Sequence, residues 1–146
     1  MTSKRKIGLD DYRKVLRDYF ARDGVKPFPR RWKYRLLILY SAIRSLELGL
    51  PYSEDEINEA IIAWQSRHGG FLDLDHVTVR RYLVDLGFLD RNPSGSVYAV
   101  IHSFLEEADW DPQILEADEE SLLAQARRDV ESNRREFGIV AEPDDF

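Results

Sequence analysis

Residues 52–100 read YSEDEINEAIIAWQSRHGGFLDLDHVTVRRYLVDLGFLDRNPSGSVYAV, and the punctuation of this stretch decides the fold. Ser53 followed by Glu56 makes a capping box, and Tyr52 before the cap can staple onto Ile57. A helix therefore starts here, with Ile57, Ala60, Ile61 and Trp64 on one face and an end around His68-Gly69-Gly70. A turn or short strand through Phe71 and Leu74 leads to Asp75, well placed to cap a second helix. In that helix Val79, Tyr82, Leu83 and Leu86 face inward, Thr78, Arg81 and Asp85 face outward, and Gly87 closes it. Two extended runs, Phe88–Arg91 and Ser96–Val100, then flank Asn92-Pro93-Ser94-Gly95, a turn cluster that reads as a β-hairpin.

Upstream, Leu9, Tyr12, Val15, Leu16, Tyr19 and Phe20 keep helical spacing up to a stop at Asp23-Gly24. Pro27 and Pro29 enforce an extended connector, since each fixes its own φ and biases the residue before it away from helix. From Arg31 to Leu48 the helical period returns through Tyr34, Leu37, Ile38, Ser41, Ala42, Ser45 and Leu46, with Gly49 as the stop. Three helices followed by a hairpin is winged-helix order. The expected fold is thus mainly α with a small β-hairpin, a winged helix-turn-helix-like core with N-terminal and C-terminal helices added.

Downstream, Asp111-Pro112 reads as a cap and first helical position. Asp118 caps a longer helix with Leu122, Leu123, Ala126, Val130 and Phe137 along one stripe. That stripe must be buried, either on its own body or against a second copy. The organisation expected is 1–27 as helix and connector, 28–100 as the winged-helix-like domain, and 101–146 as an acidic helical extension with a mobile Pro143-Asp144-Asp145 end.

The 146 residues suit one domain with appendages, against a usual ~100–200 residues per domain. Apolar residues at 43% and charged residues at 33% form a globular balance. Absence of cysteine removes disulfides, thiolate metal sites and a cysteine nucleophile, and suggests a reducing compartment. Lys4, Arg5 and Lys6 run into Asp10 and Asp11 without the apolar stretch of a secretory signal, and Leu36–Ile43 is far short of the ~18 apolar residues of a membrane span. A cytoplasmic protein without membrane association is expected. The net charge of −6 conceals an asymmetry. Residues 1–100 hold 17 Lys and Arg against 13 Asp and Glu, whereas residues 101–146 hold 4 against 14. A basic body beside an acidic arm fits either an anionic partner, with the arm competing for it, or an ordinary solvated surface.

The stretches Phe28-Pro29-Arg30-Arg31-Trp32-Lys33, Tyr52-Ser53-Glu54-Asp55-Glu56-Ile57-Asn58 and Val77-Thr78-Val79-Arg80-Arg81-Tyr82-Leu83-Val84-Asp85, with Leu89-Asp90-Arg91 and Tyr98 after them, resemble domain of unknown function family 2087. The resemblance covers roughly half the chain. It implies a winged-helix-like domain, often attached in bacteria to regulators that bring their own DNA-binding head, and it implies no established activity. This chain carries a short N-terminal helix in place of such a head and adds the acidic C-terminal region.

If the unit binds double-stranded DNA as helix-turn-helix proteins do, the helix after Asp75 enters the major groove. Thr78, Arg80 and Arg81 then approach base edges, arginine through a bidentate pair with guanine and threonine through a base or a thymine methyl. Arg91 and Ser94 on the hairpin reach the backbone. The bland alternative pairs Arg80 with Asp85 or Asp73 and makes the helix mainly core. Arg30, Arg31 and Lys33, with Trp32 and Tyr34 interleaved, form a second candidate nucleic-acid surface or merely a solvated helix start. His68, Asp73, Asp75 and His76 match no established metal spacing, and no nucleophile or phosphate-loop motif is present. A non-enzymatic, cofactor-free binding module in DNA-linked regulation is the reading. The alternative is a protein-interaction or homodimerisation module acting through the C-terminal stripe.

Overall fold

Leu36 to Ile43 are buried without exception, and apart from Ser41 they are apolar round the whole helix, as enclosure on every side requires. They belong to α2 (Trp32–Ile43), the central element of the computed structural model, which describes residues 4–137. The helix is shorter than the period through Leu46 predicts. Its last turn tightens, with the Leu46 N–H donating to the Ile43 carbonyl at 3.0 Å, and the chain leaves to join a sheet. Leu48 bridges Val100, and Gly49, at φ +77°, donates its N–H to the Val100 carbonyl at 3.3 Å. Backbone groups that a longer helix would have used thus find partners in the sheet.

Helix α1 (Leu9–Val15) follows a short strand, β1 (Lys6–Ile7), and runs on into a π-helical turn, Leu16–Phe20. The Ala21 N–H reaches back five residues to the Leu16 carbonyl at 2.8 Å. This wider turn corrects the expectation of one regular helix over Leu9–Phe20 and has a packing consequence. The neighbours Tyr19 and Phe20 are both buried, and the Phe20 ring lies 5.0 Å from Phe71 and 6.4 Å from Trp64. Beyond Gly24 (φ +101°) the connector bridges Leu72 through Lys26.

The capping box forms as read. The Glu56 N–H donates to Ser53 Oγ at 3.1 Å and the Ser53 N–H to Glu56 Oε1 at 2.9 Å, starting α3 (Glu54–Arg67). A 3-10 turn at Gly69–Phe71 leads to α4 (His76–Asp85), capped by Asp75 through the Thr78 N–H at 2.7 Å. Strands β3 (Leu89–Arg91) and β4 (Val97–Val100) form the expected hairpin, in the register Leu89↔Val100 to Arg91↔Tyr98. A third strand was not expected: β2 (Tyr52–Ser53) pairs with the other edge of β4, giving the antiparallel order β2-β4-β3.

The C-terminal part is α5 (Ser103–Glu106), β5 (Asp109–Trp110), α6 (Pro112–Glu116) and α7 (Glu119–Phe137). Strand β5 pairs in parallel with β1, Lys6↔Asp109 and Ile7↔Trp110. The stripe of α7 is buried on its own chain: Leu123, Ala126 and Val130 are covered, Leu122 partly, with the helix lying against the π-helical turn. The Phe137 side chain and the Pro143-Asp144-Asp145 end lie outside the described residues.

Charge patterning leads one to expect solvated carboxylates along this extension, and Glu119 overturns that. It is 8% exposed and accepts from the Tyr12 hydroxyl and, at 3.0 Å, from Ser41 Oγ, which itself accepts from Trp64 Nε1–H at 3.0 Å. Helices α1, α2, α3 and α7 meet in this chain of hydrogen bonds. One continuous core therefore draws on all three expected segments. Among the described residues no helix is long and apolar enough to cross a membrane.

Candidate nucleic-acid interface

Helix α4 buries Val79 and Leu83 and leaves Val77, Arg81 and Asp85 exposed, as the period predicts for Arg81 and Asp85, whereas Thr78, read as outward, is half-buried. Its outer face and the hairpin share a shallow groove of about 160 Å³ that brings together Val77, Arg80, Arg81, Arg91 and Tyr98. Four helix positions separate Val77 from Arg81, which places them on one line of the helix. Arg91 leaves β3 beside Gly95, whose φ of +72° lets the hairpin turn. The Asn92 side chain secures that turn by accepting from the Ser96 N–H at 2.9 Å and the Val97 N–H at 3.1 Å. Ser94 is exposed at the tip, with its Oγ 2.8 Å from Ser96 Oγ.

The sequence candidates differ in how free they are. Arg81 and Arg91 are exposed and form no ion pair among the described residues. Thr78 is half-buried, and its hydroxyl hydrogen-bonds the Asp75 carboxylate. That bond and the Thr78 N–H hold the Asp75 carboxyl below its ordinary value. Arg80 is committed to its own protein. Its side chain is 16% exposed, pairs with Glu54 at 3.2 Å, donates to the Asn58 side-chain amide oxygen, and lies 5.9 Å over the Tyr98 ring. The partners are thus on α3, where the sequence suggested Asp85 or Asp73.

Arg30 and Arg31 line one cleft with Phe28 and Tyr34, and Lys33 lies outside it. Lys33 pairs with Asp11 at 3.4 Å, and the Arg31 guanidinium lies 5.6 Å over the Tyr34 ring. Arg30 is exposed and borders a larger cleft of about 860 Å³ that runs along the other flank of α4. Val84 and Asp85 line both this cleft and the hairpin groove, so they form the ridge between them.

Sequence reasoning missed how charge divides within the basic body. Residues 1–51 hold 13 Lys and Arg against 5 Asp and Glu, but residues 52–100 hold 4 against 8. The helix-hairpin face therefore presents two free arginines in an otherwise acidic third of the chain. Counting by element shows this without a structure. Among the described residues no group of three or more His, Asp or Glu side chains is placed to hold a metal ion.

A family model described as "Uncharacterized protein conserved in bacteria (DUF2087)" matches residues 25–100. Comparison with curated proteins and with solved structures gave no match.

Proposed function

The chain belongs to this family of uncharacterized proteins conserved in bacteria, and from that premise we propose that it is a DNA-binding, transcription-regulator-like module of winged-helix type that carries out no catalysis. The observation that carries the reading is the groove in which the exposed face of α4, with Val77 and Arg81, meets the hairpin through Arg91. A helix ridge flanked by a β-hairpin is the arrangement in which helix-turn-helix proteins put side chains on base edges and a wing on the backbone. The order α2, β2, α3, α4, β3, β4 and the strand order β2-β4-β3 support the same reading. In it Arg81 reads a base, Arg91 and Ser94 contact phosphate or sugar, and Arg30 meets the backbone on the far flank. Arg80 fastens α4 to α3 rather than touching DNA. The burial of Leu123, Ala126 and Val130 on their own chain favours this reading over dimerisation through the α7 stripe.

Two of the free arginines, Arg91 and Arg30, face phosphate in this reading. Each phosphate neutralised contributes about 0.9 to the slope of log K against log salt, so a slope of about −2 is expected, with weak binding at physiological salt. Fluorescence anisotropy with duplex DNA at two salt concentrations tests this. Arg81→Ala with Arg91→Ala should weaken binding at least tenfold and flatten the slope by about 1. Binding that is absent at low salt, or unchanged in the double variant, contradicts the proposal.

A further inference from the structure

The cleft that Arg30 and Arg31 share with Phe28 and Tyr34 encloses about 500 Å³, and it opens where Lys14 of α1 and Tyr19 of the π-helical turn face the connector into α2. Its charge is of one sign: three cations line it and no carboxylate does. The acids of α1 and the turn are engaged elsewhere or offset, since Asp10 pairs with Arg13, Asp11 with Lys33 and Asp18 with Lys14. That leaves the two arginines, both exposed and neither in an ion pair among the described residues. The Arg31 guanidinium is held at the cleft by Tyr34, lying 5.6 Å over the ring and donating to the hydroxyl at 3.4 Å. Phe28 is half-buried and braced by the Tyr82 ring at 4.8 Å and the Arg35 guanidinium at 5.1 Å. Tyr19 and Tyr34 are buried, so the aromatic floor takes its shape from the core.

We propose that this cleft binds a free mononucleotide, a phosphate monoester that carries a flat ring. Cations without partners call for an anion. Two neighbouring arginines suit a phosphate, with its nearly two charges and three acceptor oxygens, better than a single carboxylate. The phosphate faces Arg31 and Arg30, and the ring stacks on the aromatic floor. The volume falls within the range of about 300–1,000 Å³ usual for small-molecule sites. No carboxylate or amide side chain lines the cleft to read the edge of a base, so little discrimination among bases is expected. Arg30 also meets the DNA backbone in the function proposed above. Nucleotide and duplex therefore compete for that residue, and this consequence alone rests on the DNA reading.

Isothermal titration calorimetry of the full chain with adenosine monophosphate tests it, alongside adenosine and ribose 5-phosphate. Millimolar or tighter binding of the nucleotide is expected, with each of the other two at least about tenfold weaker. Arg31→Ala should weaken the nucleotide by a similar factor and leave adenosine as it was. Arg31 is exposed, so the variant keeps the fold, which circular dichroism checks. Absence of nucleotide binding at about 5 mM, or unchanged affinity in Arg31→Ala, overturns the proposal. Ribose 5-phosphate binding as tightly as the nucleotide does so too, since the arginines would then hold any phosphate without the ring. The two readings fail separately. Arg31 has no part in the DNA contacts, and Arg81→Ala with Arg91→Ala should bind the nucleotide like the parent whether or not duplex DNA binds. If duplex binds, saturating nucleotide should weaken it, and undiminished duplex affinity overturns the competition at Arg30.

Discussion

Glu119 accepts hydrogen bonds from Tyr12 and Ser41 inside the core, so its removal takes that acceptor from both. Each buried polar group left without a partner costs about 1–3 kcal/mol. Glu119→Ala should therefore lower stability by about 2–4 kcal/mol, or roughly 5–15 °C in Tm, read by thermal unfolding; Glu119→Gln keeps an acceptor and should lose less. Tyr12, facing this carboxylate, gives the network a pH signature. Burial first, and then the Glu119 charge, push its hydroxyl far above the ordinary value of 10.0, and burial raises Tyr40 as well. Both protons are held more tightly folded than unfolded. Their contribution is complete below about pH 10 and falls as pH climbs beyond it. Urea midpoints should decline above pH 10, less steeply in Tyr12→Phe, and a midpoint flat to pH 11 contradicts this. None of this was legible in the sequence, where Glu119 stands in a run of acids and Tyr12 is one apolar-face residue among several. The acceptor and its donors lie on elements separated by 78 and 107 residues.

The elements that the sequence announces are those with local signals. Ser53 and Glu56 cap α3, Asp75 caps α4 and Asp118 caps α7, each through atoms within three residues of the cap. Ser53→Ala should cost about 1 kcal/mol, measured as a shift in the unfolding midpoint with the slope unchanged. The free side of α4 was legible for the same reason, since period alone puts Arg81 outward. Arg80 was not, because α3 supplies its partners, nor was β2, whose two residues become a strand only by meeting Tyr98 and Val97. Gly87 shows how local and distant demands coincide. It adopts φ +84°, and a Cβ there would stand 3.1 Å from that of Ser103 and 3.3 Å from the Phe104 backbone nitrogen. Gly87→Ala should cost about 1–2 kcal/mol from the left-handed backbone alone and more from the contact with α5. A variant as stable as the parent would show that the α4–β3 turn relaxes freely.

At the scale of the molecule, the expected basic body and detachable acidic arm become one body. Removing residues 111–146 takes away Ile114, Leu123, Ala126 and Val130 together with Glu119, and so uncovers Tyr12, Leu16 and the Trp64 network. The truncated chain should lose cooperative unfolding and bind a hydrophobic dye, whereas a sharp transition near the parent Tm would restore the view of the arm as an appendage. Any competition between the acidic extension and DNA is for this reason better measured with charge substitutions on the exposed face of α7, such as Asp129→Asn with Glu131→Gln, than by deletion. The parallel pairing of β1 with β5 also governs how the chain is made. Residues 5 to 7 complete their backbone partners only with residues 109 to 111. At about 5–20 residues per second of synthesis, that interval is roughly 5–20 s. Throughout it Ile7, almost wholly enclosed in the finished protein, waits on the ribosome without the strand that completes its pairing, so an apolar side chain near the N-terminus stays exposed until the last quarter of the chain is made.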